Sequence, residues 1–250
     1  MYTLKKSLGQ HFLHDENICR RIVAALQEDA FDRLLEIGPG GGALTKYLLQ
    51  VRPLDFRAVE LDAEKVLYLE NRYPEIRGIL LHENFLDMEK PFDLPFMIVG
   101  NFPYNISTQI LFKILDWKDD VTGMVGMFQK EVAQRVASKE GSKVYGVLSV
   151  LVQAFFDVQF LFEVHENSFT PPPHVKSAVI RLKPLKEKVE MKSDKAFFLL
   201  VKTAFNQRRK MLRNGLKGLF TPEILQEAIF TRRAEELSVK EFAALTFRMS

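Results

Sequence analysis

Asn101-Phe102-Pro103-Tyr104 sets an amide, a proline and an aromatic ring at the end of an apolar run, Phe96-Met97-Ile98-Val99-Gly100. Such a trio suits chemistry on a planar amine. The lone pair of an exocyclic amino group on a base is delocalised into the ring, so the nitrogen is a poor nucleophile until its hydrogens are held. The side-chain oxygen of Asn101 can accept one hydrogen, and the carbonyl of Phe102, kept extended by Pro103, can accept the other. Tyr104 then offers a stacking face. The same four residues also read as a strand followed by an Asn-Pro turn, and other parts of the chain must separate the two readings.

The apolar run reads as a short buried strand, and open α/β sheets bind ligands where such strands end. Upstream, Arg33 to Ile37 forms a similar strand that leads into Glu36-Ile37-Gly38-Pro39-Gly40-Gly41-Gly42-Ala43. Gly38, Gly40 and Ala43 match G-x-G-x-x-G/A, with a helical apolar pattern (Leu44, Tyr47, Leu48) after them. The glycines permit a tight turn and let a ligand lie against backbone N–H groups. Phe56 to Asp62 is a further strand. Glu60 stands at its end, about 20 residues past the glycines, where a carboxylate accepts hydrogen bonds from both hydroxyls of a ribose. Together these imply a nucleoside-type cofactor. Glu36, directly before the turn, repels a pyrophosphate and attracts an ammonium, which favours S-adenosylmethionine over a dinucleotide. At the end of Ile79 to Leu86, Asn84 can meet an adenine edge and Phe85 can stack on it, although Asn84 taken alone reads first as a turn residue.

At 250 residues and 47% hydrophobic content, the chain has room for one large domain, or a large and a small one. A net charge of +3 is only mildly basic, so a nucleic-acid partner must be argued from where the charge lies. Cys19 is the only cysteine, which leaves no internal disulfide and fits a reducing compartment. The five histidines show no paired ligand spacing, and no metal is expected. No apolar run approaches the roughly 20 residues of a membrane span, and the start lacks a signal core. A cytoplasmic location is expected. Asp15 is a plausible N-cap for a helix over residues 16–28, and Ser107 for the helix after the clamp. Gly141 to Gly146 reads as a polar loop of lid type. Phe169 precedes Pro171-Pro172-Pro173, which hold their loop stiff; it is either a buried loop aromatic or a second stacking face for a base. Pro184 to Asp194 reads as a linker. Beyond it, Lys195 to Lys217 carries seven basic residues and no acidic one, with Arg209, Arg213 and Lys217 at i, i+4, i+8. That pattern predicts a basic, phosphate-binding helix, followed by short helices opened by Thr221 and by Ser238 with Glu241.

In order along the chain, Lys6 to Leu13, Glu36 to Gly40, Val59 to Asp62, Gly100 to Ser107, Gln129 to Arg135, Tyr145 to Ser149 and Phe169 to Ala178 resemble the ribosomal small-subunit RNA adenine dimethyltransferase family. The basic stretch Phe205 to Lys217 resembles it too. The resemblance implies an α/β fold: a Rossmann-like S-adenosylmethionine-dependent methyltransferase domain over residues 1–184 and a small C-terminal helical RNA-binding domain over 185–250. It implies transfer of two methyl groups to N6 of each of two adjacent adenosines near the 3′ end of 16S RNA, in ribosome biogenesis, with S-adenosylhomocysteine as product. The expected cofactor contacts are His11, Leu13, Glu36, Gly38, Gly40, Glu60, Leu61, Asn84, Phe85 and Asn101. The adenine is expected between Tyr104 and Phe169, held by Asn101 and the Phe102 carbonyl beside Pro103. Lys5, Lys6, Arg208, Arg209, Lys210, Arg213 and Lys217 are the expected RNA contacts, on an immature small subunit met by a monomer. Asn84 stands where the family usually has Asp, and Phe102 where it usually has Leu; only the carbonyl of Phe102 is expected to matter. A large-subunit RNA methyltransferase of the macrolide-resistance type and a non-catalytic assembly factor on the same fold are the alternatives.

Overall fold

The computed structural model describes residues 11–51 and 55–250; Lys5 and Lys6 lie outside the described residues. The chain divides into two units, one comprising the residues up to Ala133 with Gln159–Pro184, the other Gln134–Val158 with Leu185–Ser250.

The first unit is built on a twisted sheet. A two-residue strand β1 (Phe12–Leu13) precedes helix α1 (Glu16–Leu26), whose N-cap Asp15 accepts hydrogen bonds from the N–H groups of Asn17 and Ile18, as its sequence position suggests. There follow β2 (Arg33–Ile37), α2 (Thr45–Val51), β3 (Asp55–Glu60), α3 (Ala63–Arg72), β4 (Leu80–His82), β5 (Phe96–Asn101), α4 (Ser107–Asp116), β6 (Val121–Gln129) and α5 (Lys130–Ala137). After α6 (Val147–Gln153) come β7 (Phe156–Val164), β8 (Phe169–Thr170) and β9 (Ser177–Pro184). The seven-stranded sheet runs β4-β3-β2-β5-β6-β9-β7. Pairing is parallel from β4 through β6 and antiparallel between β6 and β9. The central strand β5 is a nearly continuous apolar run, the pattern of a strand buried on both faces; Phe96 to Val99 are at most 1% exposed. Chain order reverses between β2 and β5, so the crevice at their carboxyl ends is the position where such sheets hold ligands.

The helix after the clamp starts differently from the expectation. Its N-cap position is Ile106, without a side-chain cap, and Ser107 sits inside the first turn, its Oγ donating to the Tyr104 carbonyl at 3.1 Å.

In the second unit α6 packs against α7 (Asp194–Asn206), and α7 against α9 (Val239–Thr246), so residues 134–158 group with the C-terminal ones. Ser238 and Glu241 close a capping box on α9. The Gly141 to Gly146 loop is tied down, unlike a lid: Gly141 N–H donates to Glu235 O at 2.7 Å, and the Tyr145 hydroxyl to Leu237 O at 3.1 Å, with Tyr145 fully buried. The basic stretch is not one helix. α7 ends at Asn206, Gln207 leaves helical space at φ −120° and ψ 44°, and the chain re-enters a short α8 (Leu212–Gly215). Tertiary pairing overrides the periodicity here: Met211 bridges Arg233, and Leu212 N–H donates to Arg232 O at 2.8 Å, which buries Leu212 and Leu216.

Candidate active site

The carboxyl ends of β2, β3 and β5 open onto a cavity of about 240 Å³. All ten residues expected at the cofactor line it: His11, Leu13, Glu36, Gly38, Gly40, Glu60, Leu61, Asn84, Phe85 and Asn101, as do Phe102, Pro103 and Tyr104. Residues far apart in sequence thus meet because parallel strands deliver their ends to one edge.

The turn after β2 winds through Gly38, Gly40 and Gly42 at φ 67°, 59° and 80°. At Gly42 the need is also steric, since a Cβ there would fall 2.5 Å from Cε2 of Tyr73. The motif matched in the sequence passes over this glycine, because its partner is a ring just beyond α3. A Cβ on Gly38 would lie 3.8 Å from Pro103 Cδ, so the glycine turn and the proline of the clamp are neighbours. Glu60 braces the turn: one carboxylate oxygen accepts from Gly40 N–H at 3.1 Å, the other from Asp62 N–H at 3.0 Å. Each oxygen has a second lone pair for a ligand hydroxyl.

Glu36 is 1% exposed, and Thr45 Oγ1 donates to it at 2.8 Å. Burial, reinforced by the nearby Glu60, pushes its carboxyl up to about 8 against the pull of the Thr45 hydrogen bond. A buried acid at a cavity wall is the group that a bound cation restores to its ionised form.

Asn84 reaches the cavity through a turn in which its Nδ2 donates to Asp87 at 2.6 Å and its Oδ1 accepts from Leu86 N–H at 3.2 Å. An aspartate here would face the Asp87 carboxylate; the amide makes that pairing favourable. Phe85 is buried and meets Trp117 edge-on at 5.4 Å, so it forms the floor of this end of the site.

The roof comes from β1, which pairs antiparallel with β8. His11 Nδ1 lies 2.9 Å from the Pro171 carbonyl, and the His11 ring stacks on Tyr104 at 5.6 Å with planes 28° apart. Among the lining residues that the sequence does not single out are Phe12, which covers Gly40, and the buried Lys65, with its ammonium 5.0 Å from the Phe12 ring. Only tertiary structure links them.

In the clamp, Asn101 Nδ2 donates to the His11 carbonyl at 3.4 Å, which leaves Oδ1 as the acceptor. Phe102 contributes more than its carbonyl. Its buried ring packs edge-on to Phe128 at 4.9 Å and occupies the space over Gly100 and Gly126, register partners in β5 and β6. A Cβ at Gly126 would fall 2.2 Å from the ring and one at Gly100 2.6 Å. Two opposed glycines therefore make the socket into which the clamp loop is plugged.

Two expected residues are placed otherwise. Phe169 does not line the cavity: opposite Leu13 in the β1–β8 pair, it is 2% exposed in the core and presents no face to a base. Arg208 is engaged inside the second unit, its Nε donating to Glu235 at 2.6 Å and its Nη2 to the Lys143 carbonyl. Arg209, Lys210, Arg213 and Lys217 are exposed. Among the described residues no group of three or more His, Cys, Asp or Glu could hold a metal ion, and no helix is long and apolar enough to cross a membrane.

The chain as a whole has counterparts among known proteins. The profile of the ribosomal RNA adenine dimethylase family matches residues 1–249. A protein of Flavobacterium johnsoniae named ribosomal RNA small subunit methyltransferase A is 49% identical over 246 residues, covering 97% of this chain and 94% of its own. One of the same name from Cytophaga hutchinsonii is 48% identical, covering 98% and 97%. Among solved structures, a dimethyladenosine transferase from Plasmodium falciparum superimposes with a TM-score of 0.76 at 23% identity, over 96% of this chain and 99% of that one. The 23S rRNA methyltransferase ErmE follows at 0.72 and 22%, over 93% and 99%; both show the shared Rossmann-like fold. With the family profile matching from residue 1 to 249 and relatives 48–49% identical over nearly the whole chain, the chain belongs to the ribosomal RNA adenine dimethylase family.

Proposed function

We propose that this protein dimethylates N6 of two adjacent adenosines near the 3′ end of small-subunit (16S) rRNA, with S-adenosylmethionine as donor, on an immature small subunit in the cytoplasm, and that it acts as a monomer. The relatives named ribosomal RNA small subunit methyltransferase A, at 48–49% identity over nearly the whole chain, support the small subunit over the large. The observation that carries the chemistry is the orientation of Asn101: its NH₂ is committed to the His11 carbonyl, so its oxygen is the side that meets an amine.

The residues present fit the donor. Glu36, protonated without a partner cation and ionised beside one, suits the α-ammonium group; Glu60 suits the ribose hydroxyls; Gly38 and Gly40 leave space against the backbone; Asn84, Phe85 and Leu61 bound the nucleoside end; His11 and Leu13 close the roof. When bound, S-adenosylmethionine supplies an electrophilic methyl group. Asn101 Oδ1 and the Phe102 carbonyl accept the two amino hydrogens of a flipped adenine, drawing the nitrogen lone pair out of conjugation, while Tyr104 stacks on the base. Pro103 keeps the Phe102 carbonyl in its extended setting. The methylated nitrogen is acidic and releases its proton to water, so positioning carries most of the catalysis. Arg209, Lys210, Arg213 and Lys217, with Lys5 and Lys6, bind RNA phosphates.

The test is incubation with labelled S-adenosylmethionine and undermethylated small subunits, followed by mass spectrometry of the nucleosides. N6,N6-dimethyladenosine in 16S rRNA is expected; label in other nucleosides, with none there, refutes the reading.

A further inference from the structure

Tyr104 is fixed by more than its own loop. Its hydroxyl is hydrogen-bonded to Oγ of Ser177, the first residue of β9, whose side chain is fully buried. Ser177 faces Gln129 in the β6–β9 ladder. Two residues earlier on β6, Met127 pairs with Asn101, and its carbonyl accepts the Phe102 N–H at 3.1 Å. One strand, β6, therefore sets both the clamp loop and the hydroxyl that holds the clamp's aromatic ring.

A tyrosine on a loop has two torsions that swing its face. A bond at the para position removes that freedom, and the stacked His11 ring bounds one face of the ring. We propose that Ser177 is a positioning residue: it holds the plane of Tyr104 in the orientation against which the target adenine stacks. The proposal rests on the reading of Asn101 to Tyr104 as an adenine clamp. Ser177 touches neither base nor donor; it acts through Tyr104 alone.

Ser177→Ala removes the tether from the strand side and Tyr104→Phe from the loop side, the latter leaving the stacking ring intact. Both variants and the double variant are assayed for single-turnover methyl transfer to undermethylated small subunits, with cofactor affinity measured by calorimetry and unfolding followed by circular dichroism. Loss of one buried hydrogen bond that orients a reacting group should lower the transfer rate about tenfold in either single variant. The double variant should lose no more than either alone, with cofactor affinity unchanged. If Ser177→Ala does not fold, Tyr104→Phe carries the test by itself through its rate and its unchanged cofactor affinity. Transfer at the wild-type rate by a folded single variant, or losses that multiply in the double variant, would overturn the proposal while leaving the adenine reading in place. Failure of the wild type to form dimethyladenosine would overturn that reading instead.

Discussion

Replacing Glu36 by Gln should stabilise the ligand-free protein while weakening its hold on the donor. The side chain is 1% exposed, and glutamine has nearly its shape and can still accept the Thr45 hydroxyl. A glutamate titrates at 4.5 in an unfolded chain, whereas burial raises this one to about 8. Between those values the folded protein keeps a proton that the unfolded chain has released. Stability contributed by Glu36 is therefore complete at acid pH, is lost as pH rises from 4.5 to about 8, and changes no further above that. At about 1.36 kcal/mol per pH unit, the ceiling on the loss is about 5 kcal/mol. Urea unfolding of both proteins between about pH 5 and about pH 9 should show E36Q gaining on wild type with rising pH, toward that ceiling. E36Q also lacks the anion that pairs with the donor's ammonium, so cofactor affinity should fall roughly tenfold to hundredfold, the worth of one charged hydrogen bond. Greater stability with weaker binding is not what general damage produces. Parallel unfolding profiles, or a gap that widens toward acid, would mean that Glu36 is already ionised in the folded cavity and would refute the assignment.

Asn101→Ala should fold normally and bind cofactor within roughly tenfold of wild type, about 1.4 kcal/mol, yet lose methyl transfer; normal transfer to small subunits would sink the clamp. Gly126→Ala drives a methyl to 2.2 Å from the Phe102 ring and should destabilise by about 1–3 kcal/mol, read as a lower melting temperature. Adding Phe102→Leu should recover part of that loss, and no recovery would argue against the socket. Arg209→Glu with Arg213→Glu should weaken RNA binding and flatten its dependence on salt while leaving cofactor affinity alone, as a filter-binding series would show; an unchanged salt slope would exclude these residues from the interface.

Local chemistry was the part of the molecule legible in the sequence. Asp15 and Ser238 carry their caps in their own neighbourhood, and the spacing from the glycine turn to Glu60 is set by one βα unit. What escaped depends on contacts between distant segments. The basic periodicity of Arg209, Arg213 and Lys217 describes a helix that the pairing of Met211 with Arg233 interrupts. Arg208 looks like its neighbours until Glu235 is brought beside it. Phe169, close to three prolines in a polar loop, is buried because β1 lies along its strand. Side-chain identity at Phe102 seemed immaterial because nothing in a linear reading shows that Gly100 and Gly126 face each other across a ladder.

The roof over the cavity has a consequence for the order of events in synthesis. His11 and Pro171, which join across it, are 160 residues apart in the chain. Loop closure of that length precedes any contact that rewards it, and such non-local pairings form late. During translation β1, the glycine turn, Glu60 and the clamp all emerge before β8, the strand that pairs with β1. A nascent chain halted before Phe169 would carry every strand end of the site and a roof with no strand to pair with it, so tight donor binding should appear abruptly, as β8 leaves the ribosome and captures β1.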